Sequence, residues 1–454
     1  MKTYDVMVIG AGDVGLGIAF KAASDGLAVA LVEKGNVGGT CINVGCVPSK
    51  TLIYSADRVT DIREAGKLGI QAEITSMEFP AIMRRMKGAV ETGRDSIMGA
   101  IRDTEHLDFY HGEGHFVRDY TLEVNGEKIK GKKIFIAAGA RPLIPSMKGV
   151  ENVAFLTNEN ILELEKSPEN LLIIGGGYVA AEYGHFFAAT GTRVTMVQRN
   201  ERLLPNEEPE IADLLMKEMG RRVEIQTNAE VLELTQGVNG CTVVTADRNT
   251  GAQRHITAER IMVATGRRSN ADLLMLNNTG VTTDGANFIR VNDHLETHKK
   301  NIWALGDIIG KQMFTHAGDR EAEVAWHNAT HKKKMKMNFG AVPHSVFTHP
   351  QIASIGLTEE QAKKEHEILV GKARYADTVM GSAMMEEEGF AKAVVEKNTK
   401  KILGFHIIGP WASVLIQEVV NAVANQSDIS YITGSMHIFP ALSELIPQTL
   451  NNLQ

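Results

Sequence analysis

Apolar residues along this 454-residue chain gather in short runs, each running into a glycine-rich turn and then into a helical period. The first run, VMVI at 6–9, leads into GAGDVG at 10–15, a helical stretch to about position 25, and a second run at 29–32 that ends on Glu33. Strand-length runs bounded by glycine read as buried strands of a parallel sheet, and this strand, helix, strand order predicts a βαβ unit. The pattern recurs with an apolar run at 171–174, GGGYVA at 175–180, a helix to about 190 and a run at 194–197. First glycine to strand end is 23 residues in both copies, Gly10 to Glu33 and Gly175 to Gln198. Two copies with one spacing predict two dinucleotide-binding domains for two different dinucleotides. Three more strands are expected at IFIAAG (134–139), IMVATG (261–266) and IWALGD (302–307), ending at Gly139, at Gly266 and just before Asp307. From about 340 onward strands and helices alternate without a glycine signature, which predicts a separate C-terminal domain.

The turns carry separable chemical reasons. Gly10 permits the tight turn, Gly12 lets backbone amides approach a pyrophosphate, and Gly15 lets helix and strand pack closely; Gly175 and Gly177 repeat the first two. The helix N-terminus then faces the phosphates. Glu33 can accept hydrogen bonds from ribose hydroxyls. The second unit has Gln198 and Arg199 at that place, and an arginine suits a 2′-phosphate, so NADPH is expected over NADH. A solvated surface arginine is the competing explanation.

Composition narrows the function classes. With 43% hydrophobic and 23% charged residues, two to four domains can each bury a core, which excludes disorder for most of the chain. A net charge of -7 gives no general electrostatic reason to bind nucleic acid or an anionic membrane, and the lysines at 332–334 and 336 read as a solvated linker. No apolar run reaches membrane-span length, and the first strand begins too early for a signal peptide, so a cytoplasmic location is expected. Three cysteines are too few for a secreted disulfide framework.

Two of them, Cys41 and Cys46, sit in GGTCINVGCVPSK at 38–50, directly after the first βαβ acid. Zinc would need four ligands, and only the distant Cys241 remains. The chemistry left is a dithiol and disulfide pair exchanging two electrons with a flavin. Lys50 lies one helical turn beyond Cys46, where an ammonium favours a thiolate.

On these motifs the chain resembles the flavoprotein disulfide reductases, the group of dihydrolipoamide dehydrogenase, glutathione reductase and mercuric reductase. The resemblance extends over essentially the whole sequence, including PHSVFTHP at 343–350. It implies an α/β fold of two Rossmann-like domains and a C-terminal α+β dimerisation domain, with FAD held by 1–146 and 269–337, NAD(P)H by 147–268, and a homodimer made through 338–454. It also implies roles. Cys46 would be the thiolate beside the flavin and Cys41 the sulfur that exchanges with a small-molecule or lipoyl-type disulfide. Asp307 would bind the ribityl chain, with Gly139, Gly266 and Ala317 near the cofactors. Glu182 would pair with Lys50, and Tyr178 would gate the nicotinamide. Tyr178 and Glu182 are four apart and share one helix face.

One position departs from the family. Where the relatives have a proton-relaying His-Pro with a glutamate five residues on, this chain has Phe439, Pro440 and Glu444, with His437 two residues early. Promoting His437 would need a backbone shift that Pro440 opposes. Three outcomes follow: a disulfide reductase slowed about 10²- to 10⁴-fold for want of a general base, transfer to an acceptor that needs no proton relay such as a metal ion or quinone, or a proton-excluding site like that of 2-ketopropyl coenzyme M carboxylating reductase. The C-terminal cysteine pair of mercuric reductases is absent from LNNLQ at 450–454. A flavin-bearing thiol redox sensor is the non-enzyme alternative.

Overall fold

The computed structural model describes residues 1–238 and 240–454. They form two compact units, the first made of Met1–Thr51, Arg84–Leu143 and Gly266–Phe339, the second of Leu52–Met83, Ile144–Thr265 and Gly340–Gln454.

In the first unit a parallel sheet runs in the order Leu107–His111, Val29–Glu33, Lys2–Ile9, Glu127–Ile136, and Ile302–Ala304 pairs parallel to the last of these. The strands are built as the apolar runs dictate: Val6, Met7, Val8, Val29, Ala30 and Leu31 are wholly buried. Such two-faced burial is what a parallel sheet covered by helices requires. The helices Asp13–Ser24 and Thr315–Thr330 pack against one another. A glycine at the interface permits this: a Cβ on Gly318 would stand 2.4 Å from the Val14 side chain, whereas one on Gly17 would make only ordinary contact with the Ala322 methyl.

The second unit holds the second parallel sheet, in the order Glu224–Gln226, Arg193–Val197, Asn170–Ile174, Arg260–Val263, Phe155–Leu156. Its core joins Leu172, Ile174, Val243, Ile261 and Val263. The same unit carries a five-stranded antiparallel sheet, His344–Val346, Gln351–Gly356, Ile402–Gly409, Phe390–Glu396, Ile368–Arg374. Helices Ala412–Ala424 and Leu445–Asn451 cover it, burying Tyr375, Phe405, Ile416, Val419, Leu445 and Ile446.

The segments Ile144–Thr265 and Gly340–Gln454 of this unit are tied by an ionic knot. Lys392, only 4% exposed, places its ammonium 2.7 Å from Glu208, 2.7 Å from Glu210 and 2.6 Å from Glu359. Burial disfavours its charge, but the three carboxylates outweigh that and hold its pKa above the ordinary lysine value.

Among the described residues no helix is long and apolar enough to cross a membrane.

Candidate active site

The first glycine turn is shaped as its sequence requires. Gly10 has φ +107°, and a Cβ there would stand 2.3 Å from the Ala137 carbonyl oxygen, so no other residue fits. A Cβ on Gly15 would meet the Gly10 oxygen at 1.9 Å. Gly12 caps helix Asp13–Ser24 with extended backbone and no side-chain bond, which leaves the first-turn amides for phosphate oxygens. Glu33 is held by two backbone amides, Ala11 to Oε2 at 2.8 Å and Gly35 to Oε1 at 2.7 Å, and keeps lone pairs for ribose hydroxyls.

At the other side of this crevice stand residues that sequence patterning did not single out. Arg267 reaches Asp307 at 3.2 Å, the Ala140 carbonyl at 2.7 Å and the Thr40 hydroxyl at 3.2 Å. Burial pushes the Asp307 carboxyl up, with Arg267 opposing it. Glu321 accepts the Gly306 amide at 2.6 Å; burial pushes its carboxyl up to about 7, and Asp307 adds to the rise. Gly139 has φ +66° and its carbonyl accepts from Asn270, while Ala317 is buried on the helix Thr315–Thr330. Arg267 Nε and Glu321 Oε1 are buried without a partner among the described residues. An unsatisfied donor and an unsatisfied carboxyl oxygen, a bare helix N-terminus and a ribose-type acid are what a bound dinucleotide would complete, so the residues fit FAD.

The cysteine segment is attached to this turn. The Gly38 amide donates to the Ala11 carbonyl at 2.7 Å. Cys41 lies in the short helix Gly39–Val44, and after Gly45 breaks that helix Cys46 opens the helix Cys46–Glu64. A helix N-terminus favours a thiolate. Cys41 is half-buried, Cys46 is exposed, and Cys41 hydrogen-bonds Cys46. That bond first, and burial second, push the Cys41 thiol up. The Thr315 hydroxyl stands 3.7 Å from the Cys46 sulfur, a neighbour 269 positions away in sequence. Lys50 lies one turn along the same helix.

The second turn repeats the first. Gly175 has φ +127°, and a Cβ would sit 2.2 Å from the Ala264 oxygen; Gly266 has φ +128°. Gly177 caps helix Tyr178–Ala189 without a side-chain bond. Gln198 is buried, and Arg199 is exposed at the strand end. Arg248, a hairpin residue with no motif to reveal it, donates to the Arg199 carbonyl at 2.8 Å and so supplies a second guanidinium. Glu182 is buried and accepts the Phe347 amide at 3.0 Å.

At the C-terminal end Phe439 is 70% exposed. Glu444 accepts from the Ala441 amide at 3.3 Å at the start of a short helical turn. His437 is engaged by Glu418 at 2.8 Å and by the Ser435 carbonyl at 3.1 Å. Met436, Ile438, Tyr431, Trp411 and Val414 are also exposed.

Two dinucleotide turns, one followed by a thiol pair, define a flavin and nicotinamide oxidoreductase site. The family model described as pyridine nucleotide-disulphide oxidoreductase matches residues 4–331, and that of its dimerisation domain matches 342–450. The chain belongs to the pyridine nucleotide-disulphide oxidoreductase family, whose members are FAD- and NAD(P)H-dependent enzymes. It is 32% identical to mercuric reductase of Staphylococcus aureus, covering 97% of this chain and 81% of that one. It is 32% identical to mycothione reductase of Mycobacterium tuberculosis over the full length of both. Dihydrolipoyl dehydrogenase of Chlamydia trachomatis is 32% identical, with 98% and 95% covered. Among solved structures, the Cu(II) complex of the HOCl-induced flavoprotein disulfide reductase RclA from Escherichia coli superposes with a TM-score of 0.89 at 26% identity, covering 99% of each chain.

Proposed function

We propose that this cytoplasmic homodimer passes electrons from NADPH to the Cys41 and Cys46 pair, and from Cys41 to a small disulfide-type acceptor. The hydrogen bond between Cys41 and Cys46 at a helix start carries the proposal. FAD, when bound, would accept two electrons from the nicotinamide and deliver them to the cysteine disulfide. Residues 10–15, Glu33, Arg267, Asp307 and Glu321 would hold it. The chain's own chemistry is then thiol exchange. Cys41, on losing its proton, attacks an acceptor S–S bond, one acceptor thiolate leaves, and Cys46 attacks the mixed disulfide, closing Cys41 to Cys46 and releasing the second acceptor sulfur as thiolate. Each leaving thiolate needs a proton, and Phe439 cannot give one. Arg199, with Arg248 beside it, supports the NADPH preference. The exposed apolar residues Tyr431, Met436, Ile438 and Phe439, close together in sequence, support pairing of two copies through the C-terminal domain.

A second reading has its own support. Transfer to a metal ion takes no proton to a leaving group, and the solved relative is a Cu(II) complex. The experiment is steady-state NADPH oxidation with lipoamide or with Cu(II) as acceptor, for the natural protein and Phe439→His. Low lipoamide turnover that rises at least tenfold in the variant, while Cu(II) turnover stays put, selects the metal acceptor. High lipoamide turnover unaffected by the histidine selects the disulfide. Turnover with neither acceptor sinks both.

A further inference from the structure

Tyr178 opens the helix Tyr178–Ala189, and its hydroxyl is not free to turn with the ring. It donates to Glu207 Oε1 at 2.9 Å. The same oxygen takes His344 Nε2 at 2.6 Å, and Oε2 takes the Ser354 hydroxyl at 2.7 Å. The Glu207 side chain is 1% exposed. The His344 ring also lies along the Tyr178 ring, with centroids 5.6 Å apart at 33°. Three side chains from a helix, the strand His344–Val346 and the strand Gln351–Gly356 therefore converge on one buried carboxylate.

The directions of these bonds follow from charge. Burial pushes the Glu207 carboxyl up, but His344, Ser354 and Tyr178 together more than reverse this and hold it below the usual carboxylate value. An ionised carboxylate only accepts, so all three partners donate, and the imidazole carries its proton on Nε2. Burial and the neighbouring Glu207 push the Tyr178 phenol up, so it stays a donor. A bond to an ionised, buried acceptor is roughly twice as strong as a neutral one. A ring pinned in this way can swing only by breaking it.

We infer that Glu207, with His344 and Ser354 behind it, is a positioning residue that latches the Tyr178 ring and sets the free energy of admitting the nicotinamide. The inference rests on the NADPH-binding reading proposed above and on the gating role that the family resemblance implies for Tyr178, and adds the element that controls that gate. Nothing in the residue pattern announces the latch, since Glu207 sits in an acidic run, NEEPE, that reads as solvated surface. The buried oxygen and its three donors are visible only in three dimensions.

The test is calorimetric titration of the FAD-loaded protein with NADP⁺ and, separately, with 2′,5′-ADP, which lacks the nicotinamide. Tyr178→Phe keeps the ring and removes only the donor, so it folds and should bind NADP⁺ about tenfold tighter, the size expected for a charge-assisted bond no longer broken on entry. Affinity for 2′,5′-ADP should not move. Glu207→Gln should shift NADP⁺ the same way by a smaller factor, and the double variant should match Tyr178→Phe alone, because the coupling passes through one hydroxyl. An unchanged NADP⁺ affinity in Tyr178→Phe, or an equal shift for both ligands, overturns the latch while leaving the nucleotide assignment in place. A natural protein that binds neither ligand overturns that assignment, and the latch with it.

Discussion

The two glycine turns share a backbone and differ in what closes them. Gly10 and Gly175 have φ of +107° and +127°, and an added Cβ would strike the oxygen of Ala137 or Ala264 at 2.3 and 2.2 Å. Gly12 and Gly177 cap their helices with the same extended conformation. Yet the first turn ends on Glu33, fixed by two amides, and is faced by the half-buried Asp307 and the buried Glu321. The second ends on the buried amide Gln198 and the exposed Arg199, with Arg248 alongside. In the proposed assignment one geometry serves a cofactor that stays and a nucleotide that comes and goes, and the charge at the strand end distinguishes them.

Breaking the shared part should have the largest effect. Gly10→Ala forces a clash with backbone at positive φ, and the purified protein should lose its flavin; Gly175→Ala should keep the flavin and lose its reduction by NADPH. Flavin absorbance after gel filtration reads the first and anaerobic reduction the second, and matching phenotypes would erase the distinction between the turns.

Sharpening the difference in acids gives the next effect. Glu321 has an ordinary value of 4.5 and a folded value of about 7. The folded chain binds the extra proton between them, so this contribution to stability is full below pH 4.5, falls as pH rises towards 7, and is absent above. The loss amounts to roughly 3 kcal/mol. Glu321→Gln, which can still accept from Gly306, should flatten that part of the profile in urea unfolding of the flavin-free protein between pH 5 and 8. Parallel profiles for variant and parent would remove Glu321 from the account. The smallest effect is expected at the strand end of the second turn, where Arg199→Glu should move the NADPH to NADH ratio of kcat/KM about tenfold towards NADH. An unaltered ratio would leave the arginine as solvated surface.

What was legible in the chain were features written in contiguous residues. The apolar runs placed the strands: 29–32 lies within Val29–Glu33 and 171–174 within Asn170–Ile174. The glycine spacing and the cysteine segment led to the family that the comparisons show. What stayed hidden is made by residues far apart in sequence. Arg267, Thr315, Arg248 and the Glu207, His344 and Ser354 set have no period and no motif, and acquire meaning only when folding brings them to Asp307, Cys46, Arg199 and Tyr178. The C-terminal departure was legible as a substitution, Phe439 for histidine, but the engagement of His437 by Glu418 was not.

The ionic knot at Lys392 bears on how such a chain can evolve. Glu208 and Glu210 come from the segment Ile144–Thr265, Glu359 and Lys392 from the C-terminal one. A recombination event that exchanged either segment for a foreign counterpart would leave a buried ammonium or a buried glutamate without its opposite charge, a defect of roughly 3 to 5 kcal/mol. The C-terminal segment is therefore not an interchangeable cassette: it is inherited together with the acids of its neighbour, or a second mutation must arrive with it.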